Sequence, residues 1–483
     1  MSRAWCRAWL VAGALLCAAS LAAELPVSRY RVRLDEQLST LAISACGVSA
    51  TARLAPRDAA GVDYLRKPPV RTADGCFSYE FAAHRAAARD PRYRAVTDQV
   101  LIVPPALWLW RDSSAVEQRV EVEFDLPRGM TVSVPWEPRA PLTGGGPRFA
   151  IPRSPQSDNA LTAVGRFDHC RLTRGDASFD VALLPGRVPA HHTELLAWLG
   201  SALDNLTRVN GRLPQWHVQV LVVPVANTAD GAGEPVPFGQ VIRDGGETVQ
   251  LFVNQRRPLR DLVNDWTATH EFAHLLLPHV PARDKWIAEG LASYYQNVLM
   301  ARGGHYRARA AWQALLAGFA RGRSAVPDLN LEDAMPLGHE AGIMKTYWGG
   351  AAIFLMADVA LREQSGNRAT LDNVLAALAS CCLPAAHSFD GRALFTRLDE
   401  LAPQPVFVDL YERYHANREF PAVASLLARL GVVDEGARLS LAPHAELAPL
   451  LRAIMARRAA VTALHDVTQC DPRDTMATAA GIR

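Results

Sequence analysis

The sequence predicts an α+β chain, with a β-rich, sandwich-like N-terminal region followed by a mainly helical one. Three observations carry this. Short runs that alternate apolar and polar residues crowd the first part of the chain, the spacing turns helical past Pro189, and after Asp261 almost every periodic segment reads as helix.

Length and composition set the frame. At 483 residues the chain can bury a large core and should fold as two or three domains. With 49% hydrophobic residues, 21% charged and a formal charge of +2, it is neither a disordered chain nor one with a field that would gather nucleic acid or anionic membrane. No nucleic-acid partner is expected.

At the N-terminus, Arg3 and Arg7 precede an apolar run from Ala8 to about Leu21, followed by small residues. Residues 1–23 therefore read as a secretory signal, which makes the protein exported, to a periplasm or outside the cell. The apolar run is short for a spanning helix, so no stable membrane insertion is expected once the signal is cleaved; its retention as an anchor is the alternative. Removing Cys6 and Cys17 with the signal leaves six cysteines, an even number that an oxidising compartment can pair. Cys46 with Cys76 is a plausible pair, and Cys470 could staple the tail to Cys381 or Cys382. None lies in a CxxC pattern, so a zinc ribbon is not indicated.

From Leu25 to about Val188, "RYRVRL", "QVLIVPP", "QRVEVEFDLP" and "MTVSVPW" read as strands between Pro, Gly and Asp breaks. Residues 141–160, dense in Gly, Pro and Ser, read as a surface loop. Next, "AHHTELLAWLGSALDNLTRV" places Leu195, Leu196, Leu199, Leu203 and Leu206 at helical spacing. A strand "WHVQVLVVP" and an expected edge strand "ETVQLFVN" follow, and helices are predicted near 261–277, 286–302, 305–320, 346–365, 369–380 and, with breaks, 390–431.

The chemistry concentrates in "HEFAHLLLPHVPARDKWIAEG", residues 270–290. On a helix, positions four apart share a face, so His270 and His274 can offer both imidazoles to one ion. Glu271 lies about 100° around the helix, placed to reach a water on that ion rather than the ion itself. A catalytic zinc needs a third protein ligand and an open position, and Glu289, on the next predicted helix after the breaker "PHVPARDK", is the natural candidate. The plainer alternative is a pair of hydrogen-bonded helix histidines. Against it stands the apolar helix around them, in which buried histidines and glutamates must be paired or bound to metal to offset their desolvation.

"HEFAH" followed by "WIAEGLASYYQ" resembles the gluzincin metallopeptidases, and "EGLASYYQNVLMARGG" with "YWGGAAIFLMADVALREQSGNRATLDNVLAAL" resembles their glycyl aminopeptidase family, over about residues 160–432. The resemblance implies a thermolysin-like fold for the second region and one Zn2+ per chain held by His270, His274 and Glu289. It also implies Glu271 as general base and Tyr347, in "KTYWGGA", as the donor that stabilises the developing oxyanion. After Trp348, Gly349 and Gly350 would let backbone or substrate approach closely. The implied substrate is a peptide with a small amino-terminal residue.

The expected division is a signal over 1–23, a β-rich domain over 24–188, a catalytic part with the zinc site over 189–325, a helical part of the same unit over 326–440, and a tail over 441–483. The chain departs from the family in two places. The strand that resembles its Gly-Gly-Leu-Glu-His segment is "DGGETVQLFVN", residues 244–254, without the histidine and with a shifted glutamate. Gly246 and Glu247 are the substrate-binding candidates there, Glu247 as a receptor for a free amino terminus. The residues after the last good helix also leave little room for the C-terminal PDZ domain of many relatives. Two further readings stay open, an endopeptidase with an open cleft and a non-catalytic protein that binds peptides on a peptidase scaffold. Oligomeric state is not legible.

Overall fold

The computed structural model describes residues 27–470 apart from positions 50, 94–95, 97, 114–118, 152–158, 189, 215, 226–232, 244, 336–339, 386–387, 435–438 and 461–467. The expected signal lies outside the described residues. No helix among those described is long and apolar enough to cross a membrane.

The N-terminal region is built on a seven-stranded mixed sheet in the order Glu137–Arg139, Arg148–Ala150, Arg119–Asp125, Val27–Leu34, Leu41–Cys46, Phe77–Phe81, Leu65–Arg71. The strand Val27–Leu34 buries alternate residues, Tyr30, Val32 and Leu34, while its arginines face solvent, which is the period-two pattern read in the sequence. One segment of the expected surface loop, Arg148–Ala150, joins this sheet instead, against Glu121–Glu123. A disulfide joins Cys46 to Cys76, as expected.

A small sheet of Val100–Val103, Thr162–Gly165 and Thr131–Ser133 lies between the two halves of the molecule. Leu101, Val103, Val132 and Val164 pack into the N-terminal core. Val100, Ile102 and Ala163 pack the other way, on Ala182, Leu221, Val223 and Phe252 of the second sheet.

That second sheet carries the site. Its strands are β1 (Asp168–Arg174), β2 (Ala177–Leu183), β3 (His217–Val225), β4 (Phe238–Ile242), β5 (Glu247–Asn254) and β6 (Thr468–Cys470), in the order β4-β5-β3-β2-β1-β6. The pairs β2/β3 and β3/β5 are parallel and the others antiparallel. β1 and β2 precede the expected boundary at residue 188 yet hydrogen-bond into this sheet, so the sheet runs across that boundary. The expected tail likewise returns to it through β6, and Cys470 pairs with Cys170 of β1, not with Cys381 or Cys382, which pair with each other.

Helices cover the sheet's other face: α1 (His192–Asn210), α2 (Thr267–Ala273), α3 (Lys285–Gly303), α4 (Ala308–Ser324), α5 (Glu340–Ser365), α6 (Leu371–Cys382) and α7 (Gly391–Leu401). Val218, Val220 and Val222 of β3 and Val249, Leu251 and Val253 of β5 point into the helical core. The intervening positions face the N-terminal half, and four of them, Gln219, Thr248, Gln250 and Asn254, are buried and polar. Gln219 donates to Ser133 Oγ at 3.0 Å and accepts from Thr248 at 2.7 Å, and Gln250 donates to the Tyr93 hydroxyl at 3.0 Å. Burying amide groups in a seam is tolerable because each has found a partner.

Candidate metal centre and active site

α2 is short and wholly buried from Thr267 to Ala273. Phe272 packs edge-on against Phe179 of β2, with ring centroids 6.0 Å apart, which seats the helix on the sheet. The helix tightens into a 3-10 turn at His274–Leu276, and Pro278 and Pro281 break the chain before α3 begins at Lys285. Glu289 stands one turn into α3.

Here the predicted residues meet. His270 Nε2 and His274 Nε2 each lie 3.4 Å from the same oxygen, Glu289 Oε2, and candidate ligand atoms of the three residues all fall within 4.8 Å of one another. Tetrahedral zinc with bonds of about 2.0–2.1 Å sets neighbouring ligand atoms about 3.3–3.4 Å apart, and both distances from Glu289 Oε2 match that spacing. Glu289 Oε2 is buried and has no hydrogen-bond partner, a costly state for a carboxylate oxygen unless a cation fills the gap. On spacing, burial and donor type the three residues fit Zn2+.

The other ring nitrogen of His270 is fixed too. Its Nδ1 sits 2.7 Å from Gln296 Oε1, so Nδ1 carries the proton and Nε2 is left bare toward the group. Gln296 was not singled out from the sequence, although it follows Glu289 by seven residues, two helical turns on the same face.

Glu271 is buried and points past the ligands, its Oε2 3.9 Å from His274 Nε2. Burial raises its carboxyl above the ordinary value, against the pull of His270 and His274, the direction a general base working near neutrality requires. Tyr347 of α5 stacks on the His270 ring with centroids 5.7 Å apart. Burial, then the Glu289 and Glu271 charges, push its hydroxyl far above the usual tyrosine value, so it stays a proton donor. α5 comes this close because glycine meets glycine: a Cβ on Gly290 would lie 2.4 Å from Gly350 backbone, and one on Gly350 would lie 2.3 Å from Trp286 O. It is thus helix backbone that Gly350 admits.

The expected substrate strand needs correcting. β5, which holds Glu247, lies inside the sheet between β4 and β3, and the edge is β4. Gly246 belongs to the turn that reverses β4 into β5 and backs onto the N-terminal half, where a Cβ would meet Pro135 O at 2.6 Å. The Glu247 carboxylate takes two hydrogen bonds from Arg243, at 2.8 and 3.2 Å. Arg243 in turn donates to His274 O at 3.1 Å and Leu277 O at 2.6 Å, carbonyls at the end of the helix that carries His270 and His274. Glu247 is thus held as a brace of that turn. The strand that does touch the site is β4, where a Cβ on Gly239 would lie 2.5 Å from Glu271 Cγ. Trp266, at the start of α2, sets its ring edge-on to His270 at 5.6 Å and remains 40% exposed, at the mouth of the site.

Among the other histidines, His279 is exposed, His305 contacts Ser201 of α1 at 3.3 Å, and His339 lies outside the described residues.

No family model matches the chain, and no curated protein does. Among solved structures it is similar to an aminopeptidase N family protein from Idiomarina loihiensis, with a TM-score of 0.61 and 13% identity over 84% of this chain and 78% of that one. An M1 zinc metallopeptidase from Deinococcus radiodurans is also similar, at a TM-score of 0.46 and 13% identity over 82% of this chain and 94% of that one, too distant to carry an argument. The first comparison establishes shared architecture: this chain has the fold of the Idiomarina aminopeptidase N family protein, with two histidines and a glutamate converging in its core.

Proposed function

We propose that the protein is an exported zinc-dependent peptidase. The observation that carries the reading is the unpartnered Glu289 Oε2 equidistant from two imidazoles. His270, His274 and Glu289 would hold Zn2+, which when bound supplies Lewis acidity to a peptide carbonyl and to water. Glu271 accepts the proton of the attacking water and delivers it to the leaving amine. The Tyr347 hydroxyl donates to the oxygen that gains charge. β4, which carries no further strand on its outer edge among the described residues and sets Gly239 against Glu271, is suited to take an extended peptide as an added strand beside those groups. Export rests on the N-terminal pattern, and the Cys46–Cys76 and Cys170–Cys470 pairs are consistent with an oxidising compartment.

The narrower version, an aminopeptidase that prefers small residues, rests on the glycyl aminopeptidase resemblance. The engagement of Glu247 by Arg243 argues against the amine receptor the sequence suggested, and this favours, as second reading, an endopeptidase that needs no free terminus. A non-catalytic peptide-binding protein is disfavoured because Glu271 and all three ligands are present.

The test is zinc content beside hydrolysis of amino-free and amino-blocked alanyl and glycyl peptides, by the mature protein and by Glu271→Gln. One zinc per chain, with cleavage that drops about 100- to 10,000-fold in the variant, supports the peptidase. Cleavage of amino-free peptides alone selects the aminopeptidase, and cleavage of both selects the endopeptidase. Bound zinc with no cleavage by either protein replaces the reading with the binding protein.

A further inference from the structure

The charged groups around the metal centre are not equally committed. Arg243 and Glu247 neutralise each other, and their side chains are 11% and 23% exposed. Glu271 and Glu289 are buried at 7% and 5%. Lys285 differs from all of them: its side chain is 49% exposed, and its ammonium makes one loose contact, 3.4 Å from Glu289 Oε1, the oxygen turned away from the imidazoles.

Two features make Lys285 more than a counter-ion. It is the first residue of the 19-residue α3, at the helix end where unpaired backbone N–H groups concentrate positive potential and a cation is disfavoured. Its neighbour Arg283 pairs with Asp284 and Asp390, and Glu289 is the acid that lies 3.4 Å from the Lys285 ammonium. Once Glu289 gives its charge to a divalent cation, Lys285 loses its partner. The cation, Glu289, Glu271 and Lys285 together then carry a net positive charge, with the Lys285 ammonium as its half-exposed member. Such a site repels an ammonium and attracts an anion.

We propose that Lys285 is a substrate-recognition residue that receives a carboxylate of the peptide close to the scissile bond. The inference rests on the zinc-peptidase reading and narrows its substrate class. The carboxylate has two sources, an acidic side chain or a free C-terminus, and the chemistry at Lys285 is the same for both.

The experiment uses the zinc-loaded full chain and peptides that differ only as Glu against Gln at positions flanking the cleaved bond, and as C-terminal acid against amide. Cleavage gives kcat/KM, and anisotropy of labelled peptides on zinc-loaded Glu271→Gln gives binding without turnover. The expected result is a preference of about tenfold for the anionic member of one pair, the effect of one screened charge pair at a half-exposed position. A Glu/Gln difference identifies the side chain as source, and an acid/amide difference identifies the terminus. The preference should persist in Lys285→Arg, vanish in Lys285→Gln and invert in Lys285→Glu, with one zinc per chain in each. Equal handling of both pairs by the unaltered chain, or an unchanged preference in Lys285→Gln at full zinc content, overturns the proposal. So does the absence of binding to any peptide. If nothing is cleaved but anisotropy still separates acid from neutral peptides in a Lys285-dependent way, the peptidase reading falls and carboxylate recognition stands.

Discussion

α3 presents two kinds of buried carboxylate neighbourhood, one around Glu289 on the helix and one around Asp372 on α6. Asp372 is saturated: Oδ1 accepts from the Tyr295 hydroxyl at 2.7 Å and Arg302 Nη1 at 2.9 Å, and Oδ2 from Arg458 Nη1 at 2.6 Å. Asp358 follows the same pattern with Tyr294, Arg362 and the Leu371 N–H. Glu289 instead keeps Oε2 without a hydrogen bond between two imidazoles. A buried acid whose two oxygens both accept hydrogen bonds from neighbouring elements holds helices together. A buried acid with an oxygen left without a hydrogen bond among other potential ligand atoms is arranged to bind a cation.

The contrast can be broken from either side. The largest effect is expected at the centre itself: Glu289→Ala should abolish zinc retention and peptide cleavage while circular dichroism and the melting transition of the metal-free protein stay close to the parent's. Loss of the fold along with the metal would mean Glu289 is structural like Asp372. Next, Asp372→Ala strands Arg302 in the core and should cost about 3–5 kcal/mol in denaturant unfolding, with zinc still bound by the folded fraction.

The Asp372 pair also sets a pH dependence. Burial pushes this carboxyl up, but the Arg302 charge and hydrogen bond, with Arg458 and Tyr295, outweigh it and hold it below the ordinary value. The pairing therefore contributes stability above the unfolded pKa of about 3.9, and that contribution is lost as pH falls through the lower folded value. Unfolding free energy measured between pH 6 and about pH 3 should fall less in Asp372→Asn than in the parent. A smaller effect is expected from Gln296→Leu, which removes the acceptor for His270 Nδ1–H and should weaken zinc about 10- to 100-fold in competition with a chelator. Zinc affinity unchanged in that variant would show that the tautomer is fixed by something else.

What was legible in the sequence follows the same division. The three candidate ligands and Glu271 could be read because helical spacing and a glutamate after a proline break are local patterns, and the structure brings all four together. Cys46–Cys76 was legible because the partners are close in sequence. Cys170–Cys470 was not, since 300 residues separate them and only the sheet sets them side by side. The edge strand was misassigned for a related reason. β4 is five residues with no strong alternation, whereas β5 is long and apolar, and which of two adjacent strands lies outermost is decided by pairing that no single segment encodes. Arg243 escaped notice because its role depends on carbonyls 31 and 34 residues away. Gln219, Thr248 and Gln250 interrupt apolar strands and could have been marked as facing something polar, though what they face comes from the other half of the chain.

The second sheet also has unequal margins. At one side β6 is three residues long, short enough to offer little purchase to another chain, and a disulfide pins it to β1. At the other side β4, next to Glu271, is the last strand among the described residues. A sheet with two receptive margins can be extended from both ends and so can string copies of itself into a fibre. With one margin blunted, the proposed strand addition predicts a single berth and one guest per molecule.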